Sequence, residues 1–193
     1  ADDALSGRVN IKQVALVGHS AGAALCFEAA CLLKGRVNAV ALLDAVPWQR
    51  TIDAAQHNAT LPESVSICSF RAPKSLYNLN SAGLKLMSCI NGEHIRDVLV
   101  HNARHGDFSP SLGQTHLTSA LLRLLRLQSR DPAAKDECID LCICFLEAFR
   151  KGDFANFDAY CRTKGREDRV FFVKGRLPKE LLPTSLSLPA LFR

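Results

Sequence analysis

The sequence lacks several features that mark specialised classes of protein. It has no run of 18 consecutive apolar residues, and its first residues, Ala1–Asp3, carry neither the basic nor the apolar part of a secretory signal. Aromatic residues are only 7% of the total, and no basic stripe interleaved with aromatics accompanies the formal net charge of +5. Such a stripe is typical of a nucleic-acid surface. The sequence therefore predicts neither a transmembrane helix nor nucleic-acid binding, and it predicts no compartment and no oligomeric state.

The eight cysteines match no known disulfide framework. A chain of 193 residues is long enough to form a hydrophobic core without covalent cross-links. Cys138, Cys142 and Cys144 fall in a strongly apolar segment, where a free cysteine behaves as a small hydrophobic residue. Metal binding by this Cys-x3-Cys-x-Cys pattern is the less favoured alternative. We assign no metal and no cofactor from the sequence.

One stretch combines a short apolar run, a serine between glycines and an alanine-rich segment. The run at 14–17 is typical of a strand buried on both faces, and the segment that begins at 21 has helix-forming composition. The turn between them contains a G-x-S-x-G motif, formed by Gly18, His19, Ser20, Ala21 and Gly22. In this motif the missing glycine side chains let strand and helix approach, while the serine is held in a strained, exposed turn. We therefore predict a nucleophile elbow with Ser20 as nucleophile and the Ala21 N–H as oxyanion donor; the alternative is a plain glycine-serine turn.

Further apolar runs alternate with helix-like segments. Strands are predicted at about 12–17, 40–43, 65–70 and 97–100. This alternation predicts an α/β fold with a parallel, doubly wound sheet. In such sheets reactive groups gather at the carboxyl ends of the strands. Ser20, Asp44 and His105 each follow a predicted strand, so we expect them to meet there.

The order of these three residues is that of a nucleophile, an orienting acid and a base in a hydrolase triad. Between positions 64 and 92 the sequence has neither Asp nor Glu, so no acid can come from the end of the third predicted strand. Asp44 is therefore the favoured acid, Ser20 the nucleophile and His105 the base.

Other carboxylates and histidines offer alternatives. Asp53 and Asp97 are the next candidates for the acid. Asp107 is only two residues from His105, and we expect it to bond the backbone of its own loop. His101, His105 and Asp107 also have a spacing that could suit a metal ion, but a triad explains more of the sequence than this cluster does.

Three parts of the chain together resemble the α/β-hydrolase superfamily. These are the elbow, the Leu-Leu-Asp-Ala sequence at 42–45 and the Ala-Arg-His-Gly-Asp-Phe loop at 103–108. The pattern is most similar to dienelactone-hydrolase-type and platelet-activating-factor-acetylhydrolase-type esterases. In those acetylhydrolases an aspartate on the strand after the elbow is the triad acid, which implies the same role for Asp44. The superfamily more often has its acid after the next strand.

The resemblance covers about residues 10–160 and implies a serine hydrolase that cleaves a carboxylic ester, lipid esters included. The acyl-enzyme would form on Ser20, with His105 as base and Asp44 as orienting acid. The expected partner is a small-molecule or lipid ester. The alternative is a truncated, noncatalytic module of the same fold that binds another molecule.

The same resemblance implies an incomplete sheet. The superfamily has several strands before the elbow strand, and one of their loops supplies a second oxyanion donor. We expect residues 1–165 to form a partial catalytic domain in which those strands are missing, with an unpaired edge beside the elbow strand. Residues 166–193 are expected to be an extension with an edge strand at 170–173 and a proline-punctuated tail. The alternative is that this strand, or another chain, completes the sheet beside the elbow strand.

Two helices are predicted after the histidine loop. Apolar residues at helical spacing lie along 117–125, and Asp131-Pro132 is a typical helix start. The second helix should extend to Lys151, before Gly152. The stretch from Gly152 and Asp153 onward resembles the closing helix of many α/β-hydrolases, which implies a further helix there.

Overall fold

A computed structural model describes residues 12–33, 35–57, 64–74, 82–90, 92–109, 127–129 and 131–177. The predicted helix over 117–125 and the predicted proline-punctuated tail lie outside these residues.

Five strands form one sheet, in the spatial order β1-β2-β3-β4-β5. Their bounds are β1 Ala15–His19, β2 Ala39–Leu43, β3 Ser66–Arg71, β4 Ile95–Val100 and β5 Val170–Lys174. The first four strands pair in parallel, and β5 pairs antiparallel with β4. The predicted α/β class is thereby confirmed; the sheet is parallel in its first four strands and antiparallel at β5.

The strand at Val170–Lys174 lies at the opposite edge of the sheet from β1. The alternative that this segment completes the sheet beside the elbow strand is therefore wrong. The helix before this strand determines its position. A buried ion pair between Asp158 of that helix and Arg96 of β4 holds the helix against this edge, so the chain enters the sheet there.

Helices cover both faces of the sheet. They are α1 Ala21–Leu32, α2 Gln49–His57, α3 Ala82–Ser88, α4 Pro132–Lys151 and α5 Ala155–Arg166, and a 3₁₀ turn spans His105–Phe108. The predicted long helix is confirmed as α4: the Asp131 carboxylate accepts the Ala133 N–H at 2.9 Å, and Gly152 ends the helix with φ 68°. The sequence gave no prediction for α2, whereas α5 lies in the stretch from Gly152 onward where the resemblance implied a closing helix.

The core has two layers because β2 and β3 are buried on both faces. One layer packs α4 and α5 on the sheet, with Phe70, Phe145 and Phe157 in mutual edge-to-face contact. The other layer packs α1, α2 and α3 on the opposite face. All eight cysteines are free, and burial raises the pKa of the Cys142 thiol to about 11, as expected for cysteines that pack as apolar residues.

The β1 side of the molecule is more open. Among the described residues no strand pairs with the outer edge of β1, and Val17 is 45% exposed. Helix α1 is apolar nearly all round, yet Leu25 and Leu32 on its outer face are 51% and 83% exposed. The elbow strand is therefore the least covered strand of the parallel part of the sheet.

In the described part of the chain, no helix combines the length and the hydropathy that a bilayer crossing requires.

Candidate active site

The turn between β1 and α1 has a strained backbone. Ser20 has φ 58° and ψ −125°, in a region that residues with a side chain rarely adopt. The Ser20 N–H donates to the Leu43 carbonyl at 3.0 Å, and the Ser20 carbonyl accepts from the N–H groups of Ala23 and Val46 at 3.1 Å each. These bonds fix the turn so that the Ser20 side chain lies at the carboxyl end of β1.

The two glycines of the motif contribute differently. A Cβ on Gly18 would overlap the Gly22 carbonyl and lie 2.7 Å from the Cys26 sulfur. A Cβ on Gly22 would meet no described atom within 4 Å, because this glycine is helical and its Cβ would point outward. Close approach of strand and helix therefore requires Gly18, whereas the expectation that Gly22 is needed for the same reason is wrong.

Asp44 follows β2 directly and is fully buried. Its N–H donates to the Phe70 carbonyl at 2.7 Å, and one carboxylate oxygen, Oδ1, accepts the Ala72 N–H at 3.1 Å. A buried carboxylate needs such donors because it has lost its contact with water. The second oxygen, Oδ2, is directed at His105.

His105 begins the 3₁₀ turn after β4 and lies between the other two side chains. Its Nδ1 is 2.7 Å from Asp44 Oδ2, and its Nε2 is 3.1 Å from Ser20 Oγ. The carboxylate can only accept, so Nδ1 carries the hydrogen and Nε2 is left as an acceptor for the serine hydroxyl. Ser20, Asp44 and His105, which lie 24 and 61 positions apart in the sequence, thus form one continuous series of hydrogen bonds.

The N-terminus of α1 lies at the serine. Ala21 is the first residue of this helix, and the first four N–H groups of a helix have no partner within it. The helix dipole adds partial positive charge at the same point. An oxygen anion formed beside Ser20 would therefore find a donor and a favourable field there.

His19 contacts the histidine loop as well as the elbow. Its Nε2–H donates to the His105 carbonyl at 2.8 Å, and the two imidazole centroids are 4.6 Å apart. Burial lowers the pKa of His19, although its bond to that carbonyl acts in the opposite direction. The motif places His19 next to Ser20 in the sequence but does not predict these contacts, which join segments 86 residues apart.

The other candidate acids lie elsewhere. Asp53 is exposed and accepts from Gln49, while Asp97 is buried in a bidentate pair with Arg71 at 2.6 and 2.7 Å. The Asp107 carboxylate accepts the N–H groups of Arg104 at 2.8 Å and Ser129 at 3.0 Å, which is the loop-bonding role expected for it. Burial raises the pKa of Asp107, and these two bonds oppose that rise.

The residues with metal-like spacing have separate partners. His101 Nδ1 bonds the Asp168 carbonyl at 3.0 Å, at the opposite edge of the sheet from β1. Within the described ranges no group of three or more histidine, cysteine, aspartate or glutamate side chains could hold a metal ion.

Some parts of the site could not be read from side-chain patterns. The donors from Ala72 and Val46 are backbone groups, and any residue except proline supplies one. Only the fold brings them to Asp44 and Ser20.

The chain matches no protein-family model, and no curated protein matches it significantly.

Proposed function

We propose that this protein is a serine hydrolase of the α/β-hydrolase type that cleaves a carboxylic ester. The observation that supports it best is the hydrogen-bonded series from Ser20 Oγ through the His105 ring to the buried Asp44 carboxylate. A serine hydroxyl is a weak nucleophile unless a base accepts its proton, and the base works best when a third group fixes its tautomer. A serine, a base within hydrogen-bond distance of it and a carboxylate bonded to that base lie together here.

In the proposed reaction Ser20 Oγ attacks the ester carbonyl, and His105 Nε2 takes the hydroxyl proton. The carbonyl oxygen becomes an anion that the Ala21 N–H stabilises. Collapse of the tetrahedral intermediate breaks the bond to the alcohol oxygen, which leaves with the proton from His105. Water then attacks the acyl-enzyme with His105 again as base, and the acid is released. Asp44 stabilises the charged imidazole without taking its proton.

Trp48 lies four residues after Asp44 in the sequence, and its exposed ring, which Arg50 contacts with Cζ 4.8 Å from the centroid, leads us to expect an ester with an apolar substituent. The Val46 N–H bonds the Ser20 carbonyl, and Trp48 follows two residues later with an exposed indole. Apolar contact with this ring would stabilise a longer chain more than an acetyl group. We expect Trp48→Ala to raise KM for p-nitrophenyl butyrate several-fold more than for p-nitrophenyl acetate; an equal change for both esters would remove Trp48 from the binding surface.

A fluorophosphonate probe tests the proposed nucleophile. The activated serine oxygen displaces fluoride from phosphorus, and peptide mapping of the folded protein should find the adduct on Ser20. Ser20→Ala should abolish labelling, whereas Ser88→Ala should leave it unchanged, because the Ser88 hydroxyl bonds the Lys85 carbonyl far along the chain from the site. A Ser20→Ala protein that still reacts would contradict the proposal.

The second candidate function is a noncatalytic binding module of the same fold. The exposed Val17 and the outer edge of β1, unpaired within the described ranges, favour it, because a strand edge is a template for pairing with another segment. A further strand at this edge would also extend the sheet toward the hydrolase arrangement. A folded wild-type protein that fails to react with the probe would favour this second function over hydrolysis.

A further inference from the structure

The His105 backbone is held from two sides. On one side the Asp107 carboxylate accepts the N–H groups of Arg104 and Ser129. On the same side the Gly106 N–H donates to the Leu127 carbonyl at 2.7 Å. On the other side His19 donates to the His105 carbonyl at 2.8 Å. Only the second contact comes from the elbow, so it fixes the position of the proposed base relative to the proposed nucleophile.

The contact has both a polar and an apolar part. The His19 N–H satisfies a partly buried carbonyl, and its ring packs on the His105 ring with an angle of 35° between their planes. Removing the donor leaves that carbonyl without this partner and frees the loop to move. The distance of 3.1 Å between His105 Nε2 and Ser20 Oγ is within hydrogen-bond range, so a small displacement weakens proton transfer.

The charge of His19 also bears on the role of His105. Burial lowers the pKa of His19 most strongly. The other groups that affect this pKa are the His105 carbonyl, the His105 ring and the Asp44 carboxylate. A neutral His19 can still donate from Nε2, and it does not repel the imidazolium that forms on His105 during acyl transfer.

We propose that His19 is a positioning residue, whose Nε2–H bond to the His105 carbonyl holds the His105 ring in line with Ser20 Oγ. The inference depends on the proposed hydrolase function for its catalytic consequence, but the positioning itself is a property of the fold.

Two substitutions separate the hydrogen bond from the packing. His19→Gln can place an amide N–H near the position of Nε2, whereas His19→Phe keeps a ring against His105 without a donor. We expect the rate of fluorophosphonate labelling at Ser20 to fall about tenfold or more in His19→Phe and to be largely restored in His19→Gln. Thermal unfolding measured for each protein checks that it is folded, and His19→Leu supplies a second variant without the donor should His19→Phe not fold.

A second readout does not require activity. Nitrogen-15 NMR of the histidine rings, with the His105 signals identified by their loss in His105→Gln, should show hydrogen fixed on Nδ1 in the wild type and in His19→Gln. His19→Phe should give a mixture of tautomers, because a displaced ring bonds Asp44 less well. An unlabelled wild type would contradict hydrolysis, and the ring spectra would still decide the role of His19. Wild-type labelling and wild-type ring signals in a folded His19→Phe protein would overturn the inference.

Discussion

The two edges of the sheet differ in how they are closed. At the β5 edge, Arg96 and Asp158 form a buried ion pair at 2.6 Å, Lys174 joins it at 3.3 Å, and the Phe157 and Phe172 rings meet edge to face. At the β1 edge, apolar Val17 is half exposed and no described strand follows. The proposed nucleophile directly follows β1, whereas its proposed acid follows the buried strand β2.

Rigidity and accessibility are therefore divided between the two edges of one sheet. Buried strands and ion pairs fix the frame that carries Asp44, while the less covered strand leads to Ser20, which is partly exposed. A buried carboxylate keeps its geometry because backbone donors hold it, and a nucleophile must be reachable by its substrate. Single substitutions in the buried frame and at the open edge test this division.

Asp44→Asn should reduce esterase turnover on the order of 10⁴-fold, because the amide no longer holds His105 in the required tautomer. The change should leave the protein folded, since an amide oxygen can still accept the Ala72 N–H. The measurement is kcat with p-nitrophenyl acetate, and Asp53→Asn is the matched control on the exposed helix α2. A comparable loss in the control would contradict the assignment of the acid.

Gly18→Ala and Gly22→Ala should differ in sign. The first forces Cβ into the Gly22 carbonyl and the Cys26 sulfur, so the free energy of unfolding should fall by about 3 kcal/mol or more, as for other severe steric changes. The second enters open space in α1, where alanine is favoured over glycine by up to about 1 kcal/mol. Urea denaturation of both variants measures the difference. Equal destabilisation would show that Gly22 also makes a close contact.

Asp158→Asn tests the closed edge. Removing the charge leaves Arg96 buried without a counter-ion, which typically costs about 3 kcal/mol of unfolding free energy. Asp140→Asn on the exposed face of α4 is the control and should change stability by less than about 0.5 kcal/mol. If the two variants unfold at the same urea concentration, the ion pair does not hold this edge.

Val17→Lys tests the open edge and should have the smallest effect on stability, below about 0.5 kcal/mol. A lysine on an edge strand discourages pairing with other chains, so self-association measured by sedimentation should decrease. Leu32→Lys adds the same charge at an exposed site outside the strand and should have less effect on association. A loss of more than about 1 kcal/mol on Val17→Lys would mean that another segment covers this edge in solution.

The parts of the fold that sequence patterns predicted are those with a strong local signal. Strands β1, β2 and β4 were found within a few residues because each contains a short apolar run, and β3 was found from its alternating pattern. Helix α4 was found from Asp131, Pro132 and Gly152. Helix α2 was missed because its short sequence is mostly polar, and Thr51, Ile52 and Ala55 are its buried residues. Helix α5 lies in the stretch after Gly152 where the resemblance implied a closing helix. Asp158 illustrates the limit, since its partner Arg96 is 62 residues away and no spacing connects them.

The proposed site followed from the same kind of signal. Ser20, Asp44 and His105 were found because each lies just beyond a strand, where parallel sheets gather their polar groups. The steric difference between Gly18 and Gly22 and the bond from His19 to the His105 carbonyl depend on packing between distant segments, which one sequence does not encode locally.

In the proposed mechanism His105 activates Ser20 for attack. The most direct measurement is the rate of fluorophosphonate incorporation, followed by intact-protein mass and peptide mapping, in the wild type and in His105→Gln. We predict one adduct per wild-type chain, on Ser20, and almost none on folded His105→Gln in the same time. An adduct on another residue, or equal rates for the two proteins, would contradict the account.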